Sequence, residues 1–187
     1  MKIKSNAAPG EFTSPFYKIN EDFCETFENY IASKNGKVKG NYNAWSYFVQ
    51  GILMNPRQWH LKYKKAPYTS TGNLLLSNKK QNLLCLAEWS CDWPAPNNSE
   101  FAIRRKDSVG LINKLFKRNY SIYKASKDYL ISGGEKNIKT IENVHTTLKP
   151  LFDSKEIYSI ILVKNKLIIS FRTEEHHFEF FERLNSV

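Results

Sequence analysis

The sequence predicts an α+β fold: a single domain with a mainly antiparallel sheet of about seven strands and about four helices packed on it. Three observations predict it. Apolar residues recur at helical spacing in four segments and alternate with polar ones in several short segments. Two pairs of apolar runs are joined by short polar stretches, the pattern of antiparallel hairpins. Helical and extended segments are mixed rather than in strict βαβ alternation. The 187 residues suit one domain and can bury a core without disulfides. With 41% hydrophobic and 14% aromatic residues the chain is too apolar for intrinsic disorder.

Residues 1–15 (MKIKSNAAPGEFTSP) read as a disordered lead, and 16–187 as the domain. The lead holds no apolar stretch behind a basic start, so it is not a secretory signal. A first helix is expected over 21–34, with Asn20 as N-cap and Asn35-Gly36 as the stop. Phe23, Cys24, Phe27, Tyr30 and Ile31 form its apolar stripe. Residues 37–42 suit a short strand. The uncharged decapeptide 45–54 (WSYFVQGILM) follows, too short to span a bilayer. In 59–64 (WHLKYK), Trp59, Leu61 and Tyr63 face one way, and His60, Lys62 and Lys64 the other. Residues 74–76 and 83–89 suit a hairpin, and 101–106 a strand. A second helix is expected over 109–117 and a strand over 120–124. Gly133-Gly134 is a turn into a third helix, about 138–149. Residues 157–163 and 166–171 form a hairpin around Lys164-Asn165, and a last helix over 174–184 follows Thr173 as cap.

The charge is uneven. Lys+Arg number 28 and Asp+Glu 18, a formal charge of +10. Residues 29–87 hold no acid and nine cations: Lys34, Lys37, Lys39, Arg57, Lys62, Lys64, Lys65, Lys79 and Lys80. A second basic run, 104–127, includes Arg104 and Arg105 and a single acid, Asp107. Acids gather at Glu21, Asp22, Glu25 and Glu28 and again at Glu174, Glu175, Glu179 and Glu182. Such asymmetry speaks to partners rather than to fold. The cations are 22 lysines and 6 arginines. That ratio weakens a nucleic-acid signature, because base and phosphate readers favour the planar fork of Arg.

Reactive motifs are scarce. Cys24, Cys85 and Cys91 form no C-x-x-C and read as small buried hydrophobes in a reducing compartment. His176 and Glu179 have i, i+3 spacing, yet no second E-x-x-H accompanies them, and H-E-x-x-H is absent. His177 shares a helical face with Phe181 and Leu184 and reads as a core-edge residue. No phosphate-binding glycine pattern or G-x-S-x-G elbow occurs. No catalytic residue, metal or cofactor is expected.

The layout FAIRRK (101–106), INKLFK (112–117), YSIYKASKDY (120–129), YSIILVKNKLIISF (158–171) and FEFFERL (178–184) resembles uncharacterised bacterial domains of unknown function. Some of those follow membrane-spanning helices on the cytoplasmic side. The resemblance implies a small α+β domain without a known reaction.

The expected function is a non-enzymatic, cytoplasmic binding module. Its binding residues would be Lys37, Lys39, Arg57, Lys62, Lys64, Lys65, Lys79, Lys80, Arg104 and Arg105. The partner would be an acidic protein or a second copy of the chain. The alternatives are nucleic acid bound through phosphates and docking on an anionic membrane surface.

Overall fold

Ser14 followed by Pro15 decides where the first helix begins. The Ser14 hydroxyl accepts from the Phe16 N–H at 3.3 Å, and Pro15 fills the first helical position, where no N–H is needed. The helix α1 therefore runs Pro15–Ser33, six residues longer at its start than expected. In the computed structural model, which describes residues 2–66, 84–94, 99–108 and 120–186, the chain divides into two compact units, 1–88 and 89–187. The fold is α+β. Among the described residues it has ten strands and three α-helices. The expectation was about seven and four.

In the first unit, β1 (Ile3–Ser5) pairs in parallel with β2 (Lys37–Tyr42). Antiparallel β3 (Tyr47–Leu53) and β4 (Trp59–Ala66) complete the order β1-β2-β3-β4. The stretch read as a disordered lead thus carries a strand and a 3-10 turn at Pro9–Glu11. The backbone of β1 is also tied to α1, because Ile3 N–H donates to Glu28 Oε2 at 3.0 Å. Asn20, expected as a cap, is buried inside α1. Its Nδ2 donates to the carbonyls of Asn43 (2.8 Å) and Ala44 (3.2 Å), which pins the helix to the β2–β3 turn. Helix α1 ends where expected: Asn35 takes a left-handed conformation and Gly36 N–H returns to Ile31 O at 2.9 Å.

Helix α1 covers one face of this sheet. Cys24, Phe27 and Ile31 are buried, as are Val49, Leu53, Trp59, Leu61 and Tyr63. Phe23 stacks on Tyr47 at 4.4 Å, and Phe27 meets Tyr63 edge-on at 5.3 Å. Gly51 lets the helix approach: a Cβ there would lie 2.5 Å from Ile31 Cδ1 and 3.0 Å from Phe27 Cζ.

In the second unit β6 (Phe101–Arg105) pairs with both β8 (Tyr129–Gly133) and β9 (Ile157–Val163). β10 (Lys166–Phe171) forms the expected hairpin with β9 through Lys164 and Asn165, both left-handed. β7 (Ser121–Ile122) lies beside β8, giving β10-β9-β6-β8-β7, with residues 89–92 of β5 (Leu84–Asp92) beside β10. β8 is unforeseen; its YLISG sequence has little alternation before the glycine turn. Helix α2 (Ile138–Asp153) continues past Pro150, where a stop was expected. Buried Leu151 and Phe152 hold that last turn, and Phe152 packs on Tyr129 at 4.9 Å. Helix α3 (Phe178–Asn185) starts four residues later than expected, because Thr173 Oγ1 accepts from Glu175 N–H in a turn rather than capping a helix. Trp89 fills the core between Phe171 (4.4 Å) and Phe181 (5.3 Å). The expected helix 109–117 and strand 74–76 lie outside the described residues.

Gly51→Ala tests the helix approach. The added methyl should overpack α1 against β3 and lower stability by about 1–3 kcal/mol, read as a shifted urea midpoint at unchanged slope.

Candidate functional site

Tyr63 packs under α1, and Trp59 and Leu61 are buried on the same face of β4, which leaves His60, Lys62 and Lys64 on the opposite face, because strand side chains alternate. The same alternation applies to the neighbours. The strand register aligns Lys37, Ile52 and His60 in one row, Lys39, Gln50 and Lys62 in the next, and Asn41, Phe48 and Lys64 in the third. β1 adds Lys4 beside Asn41. Rows are spaced by roughly 6.6–6.8 Å along the strands, and strands by roughly 4.8 Å. Lys39 and Lys62 therefore stand roughly 10 Å apart, with Gln50 between them.

Lys4, Lys37, Lys39, Phe48 and Lys64 are exposed, and Gln50, Ile52, His60 and Lys62 half-buried. A shallow depression of about 360 Å³ lies among Lys37, Lys39, Gln50, Ile52, His60 and Lys62. His60 Nε2 is 2.8 Å from Gln58 Nε2. Strands β1 to β4 contain no acidic residue. Glu88 reaches Lys62 from β5, Nζ to Oε1 at 3.0 Å. Both side chains are about 40% exposed (41% and 39%), so the pair adds little stability and can be opened at little cost.

The acids of α1 sit on the helix layer. Lys18 bridges Glu21 (3.0 Å) and Asp22 (2.9 Å), Tyr42 Oη donates to Glu21 at 3.1 Å, and Glu28 holds β1. Base on the open sheet face and acid on the helix give the unit a marked electrical polarity.

The predicted binding residues do not all come together. Lys37, Lys39, Lys62 and Lys64 share the open face. Lys65 points to the helix side and is 8% exposed. Arg57 lies in the β3–β4 turn. Lys79 and Lys80 lie outside the described residues. Arg104 and Arg105 belong to the second unit. Arg105 is engaged there: Nε meets Asp107 Oδ1 at 2.7 Å, Nη1 donates to Lys155 O, and the guanidinium lies 5.8 Å from the Tyr158 ring centroid. Sequence reasoning missed Lys4, Asn41, Phe48, Gln50 and Ile52. Alternation through residues 47–53 carried the signal for Phe48, Gln50 and Ile52, but the uncharged decapeptide was read as a block.

The second unit holds a polar cluster around His177. His177 Nε2 lies 2.6 Å from Glu156 Oε2 and 2.9 Å from Thr173 Oγ1, while Ser154 Oγ donates to Glu156 Oε1 at 2.8 Å. The His177 side chain is 9% exposed. Both of these contacts fall on the same imidazole nitrogen. A nucleophile–base–acid relay needs one contact on each nitrogen, so this arrangement braces a turn instead. Burial pushes the Glu156 carboxyl up, but hydrogen bonds from Thr173, His177 and Ser154 outweigh it and leave the group below its ordinary range. Cys24 and Cys91 are buried, and burial, with Glu28 nearby, pushes the Cys24 thiol up to about 12. Among the described residues no group of His, Cys, Asp and Glu could hold a metal ion, and no helix is long and apolar enough to cross a membrane.

No protein-family model matches the chain, and no curated protein matches it.

The Glu156 cluster carries a pH prediction. A carboxyl lowered on folding adds stability above its unfolded value, about 4.5, and loses it as pH falls through the folded value. Glu156→Gln should therefore flatten the acid limb of stability against pH. Urea midpoints of both proteins across roughly pH 3–7 check this.

Proposed function

We propose that the chain is a non-enzymatic binding module whose open basic sheet face receives an acidic partner. One observation carries the reading: Lys4, Lys37, Lys39, Lys62 and Lys64 converge with His60 on one face of four acid-free strands. Lysines scattered over a solvated surface need no partner. Here the fold collects them, and the α1 acids are placed on the opposite layer, with Glu88 reaching Lys62 from β5. An anionic partner meeting this face gains attraction from several cations at once and is steered toward it over roughly a Debye length. The free, buried thiol of Cys24 supports a reducing, cytoplasmic setting. A bacterial origin rests on the resemblance of residues 100–187 to bacterial domains.

Charge reversal tests this. Lys37→Glu/Lys39→Glu/Lys64→Glu should leave the melting temperature nearly unchanged, since all three side chains are exposed. It should weaken binding to polyanions, such as polyglutamate or an oligonucleotide, by roughly tenfold or more. Lys166→Glu in the second unit should bind as the parent does. Absence of binding to every polyanion at low salt would defeat the proposal.

A further inference from the structure

We infer that the acidic partner is a single-stranded nucleic acid, its phosphates held by the lysines of β1, β2 and β4 and its bases laid along β3 with one stacked on Phe48. This rests on the open face being the anion-binding surface.

The arrangement of the face carries the inference. Its cations form two rails. Lys37 and Lys39 on β2, with Lys4 on β1, make one; Lys62 and Lys64, with His60, make the other on β4. Between them β3 presents only Phe48, Gln50 and Ile52, an uncharged track. A single strand offers a partner to both elements: phosphates along its backbone for the cations and planar π-faces on its bases for the track. An acidic peptide carries its carboxylates on alternate sides and has no planar face to lay on a ring.

Phe48 is the second element. The fold buries Phe27, Phe101, Phe152, Phe171 and Phe181 completely or nearly so, yet Phe48 is 41% exposed. An isolated exposed ring is ordinary. This one stands in the row of Asn41 and Lys64, with Lys4 one strand further, so a base stacked on it has cations on both sides for its phosphates. Gln50, two residues along the track, lines the depression with His60 and offers amide groups to the edge of a neighbouring base.

The face also favours single strands over duplex, because the bases of a duplex are stacked on one another and offer no π-face to Phe48. Reading a duplex groove takes a helix or ribbon that projects into it. Here α1 lies on the opposite face of the sheet. Lysine rather than arginine on both rails favours binding with little sequence preference.

The experiment uses the full chain, fluorescently labelled oligothymidylate, the matching duplex and polyglutamate, with Phe48→Ala, Phe48→Tyr and Lys39→Glu/Lys64→Glu. Oligothymidylate should bind more tightly than duplex or polyglutamate. Phe48→Ala should weaken it roughly 5- to 150-fold, the range of a single base–aromatic stack, and Phe48→Tyr should restore it. The slope of log affinity against log salt should stay unchanged in Phe48→Ala. In Lys39→Glu/Lys64→Glu it should fall by about 0.7 for each phosphate left without its cation. Melting curves of the Phe48 variants should match the parent. Polyglutamate binding without oligothymidylate binding would overturn the inference and leave the anionic face standing. Binding of no polyanion would overturn both. Oligothymidylate binding that is indifferent to Phe48→Ala, or equalled by duplex, would overturn the stacking track.

Discussion

Burial of one sheet face beneath α1 is the constraint on which the first unit depends. Strand side chains have a period of two, so burying Val49, Leu61 and Tyr63 on the α1 side fixes where every other residue of β3 and β4 must point. A slip of one residue in β4 would push Lys62 and Lys64 into the apolar layer and bring Leu61 and Tyr63 into water. Desolvating two ammonium groups costs far more than the packing could return. The hydrophobic layer therefore defines the basic layer, and the positions of the cations follow from core packing rather than from any pairing among the lysines.

Charge separation follows from the same layering. The α1 acids find partners on their own side of the sheet, in Lys18, in the Tyr42 hydroxyl and in the β1 backbone. Those contacts leave them poorly placed to neutralise the lysines across the sheet. Like charges gathered on one face repel, which costs some stability while the face is empty. A counter-charge placed there would relieve that repulsion. In the second unit the balance is different. Arg105 is bound to Asp107 and a backbone carbonyl, and Glu156 to three hydroxyl or imidazole groups. These two residues hold turns in place.

Much of this was legible in the sequence where one physical signal dominated. The Lys164-Asn165 hairpin follows from two apolar runs and a turn that needs left-handed residues. The β4 alternation gave the two faces of that strand correctly. The start of α1 was misjudged because Asn20 is as good a cap by type as Ser14; only its carbonyl partners at Asn43 and Ala44, distant in sequence, reveal it as an interior residue. β1 and β8 were missed because a strand of three to five residues has too few positions to display a period. The face itself was half legible. Its cations stood out as an acid-free run, but which of them gather depends on strand register, and Lys65 and Arg57 show that neighbours in sequence need not share a surface.

The tryptophans divide in the same way as the lysines. Trp59, Trp89 and Trp93 are buried, while Trp45, in the turn between β2 and β3 and 6.3 Å from Phe16, is 47% exposed. Light absorbed by the chain is thus shared between three indoles in apolar surroundings and one in contact with solvent. The red edge of the emission and its quenching by small solutes belong mainly to Trp45. The blue edge reports the integrity of the two cores. The protein carries a built-in optical separation between events at one end of the first unit and the unfolding of the chain.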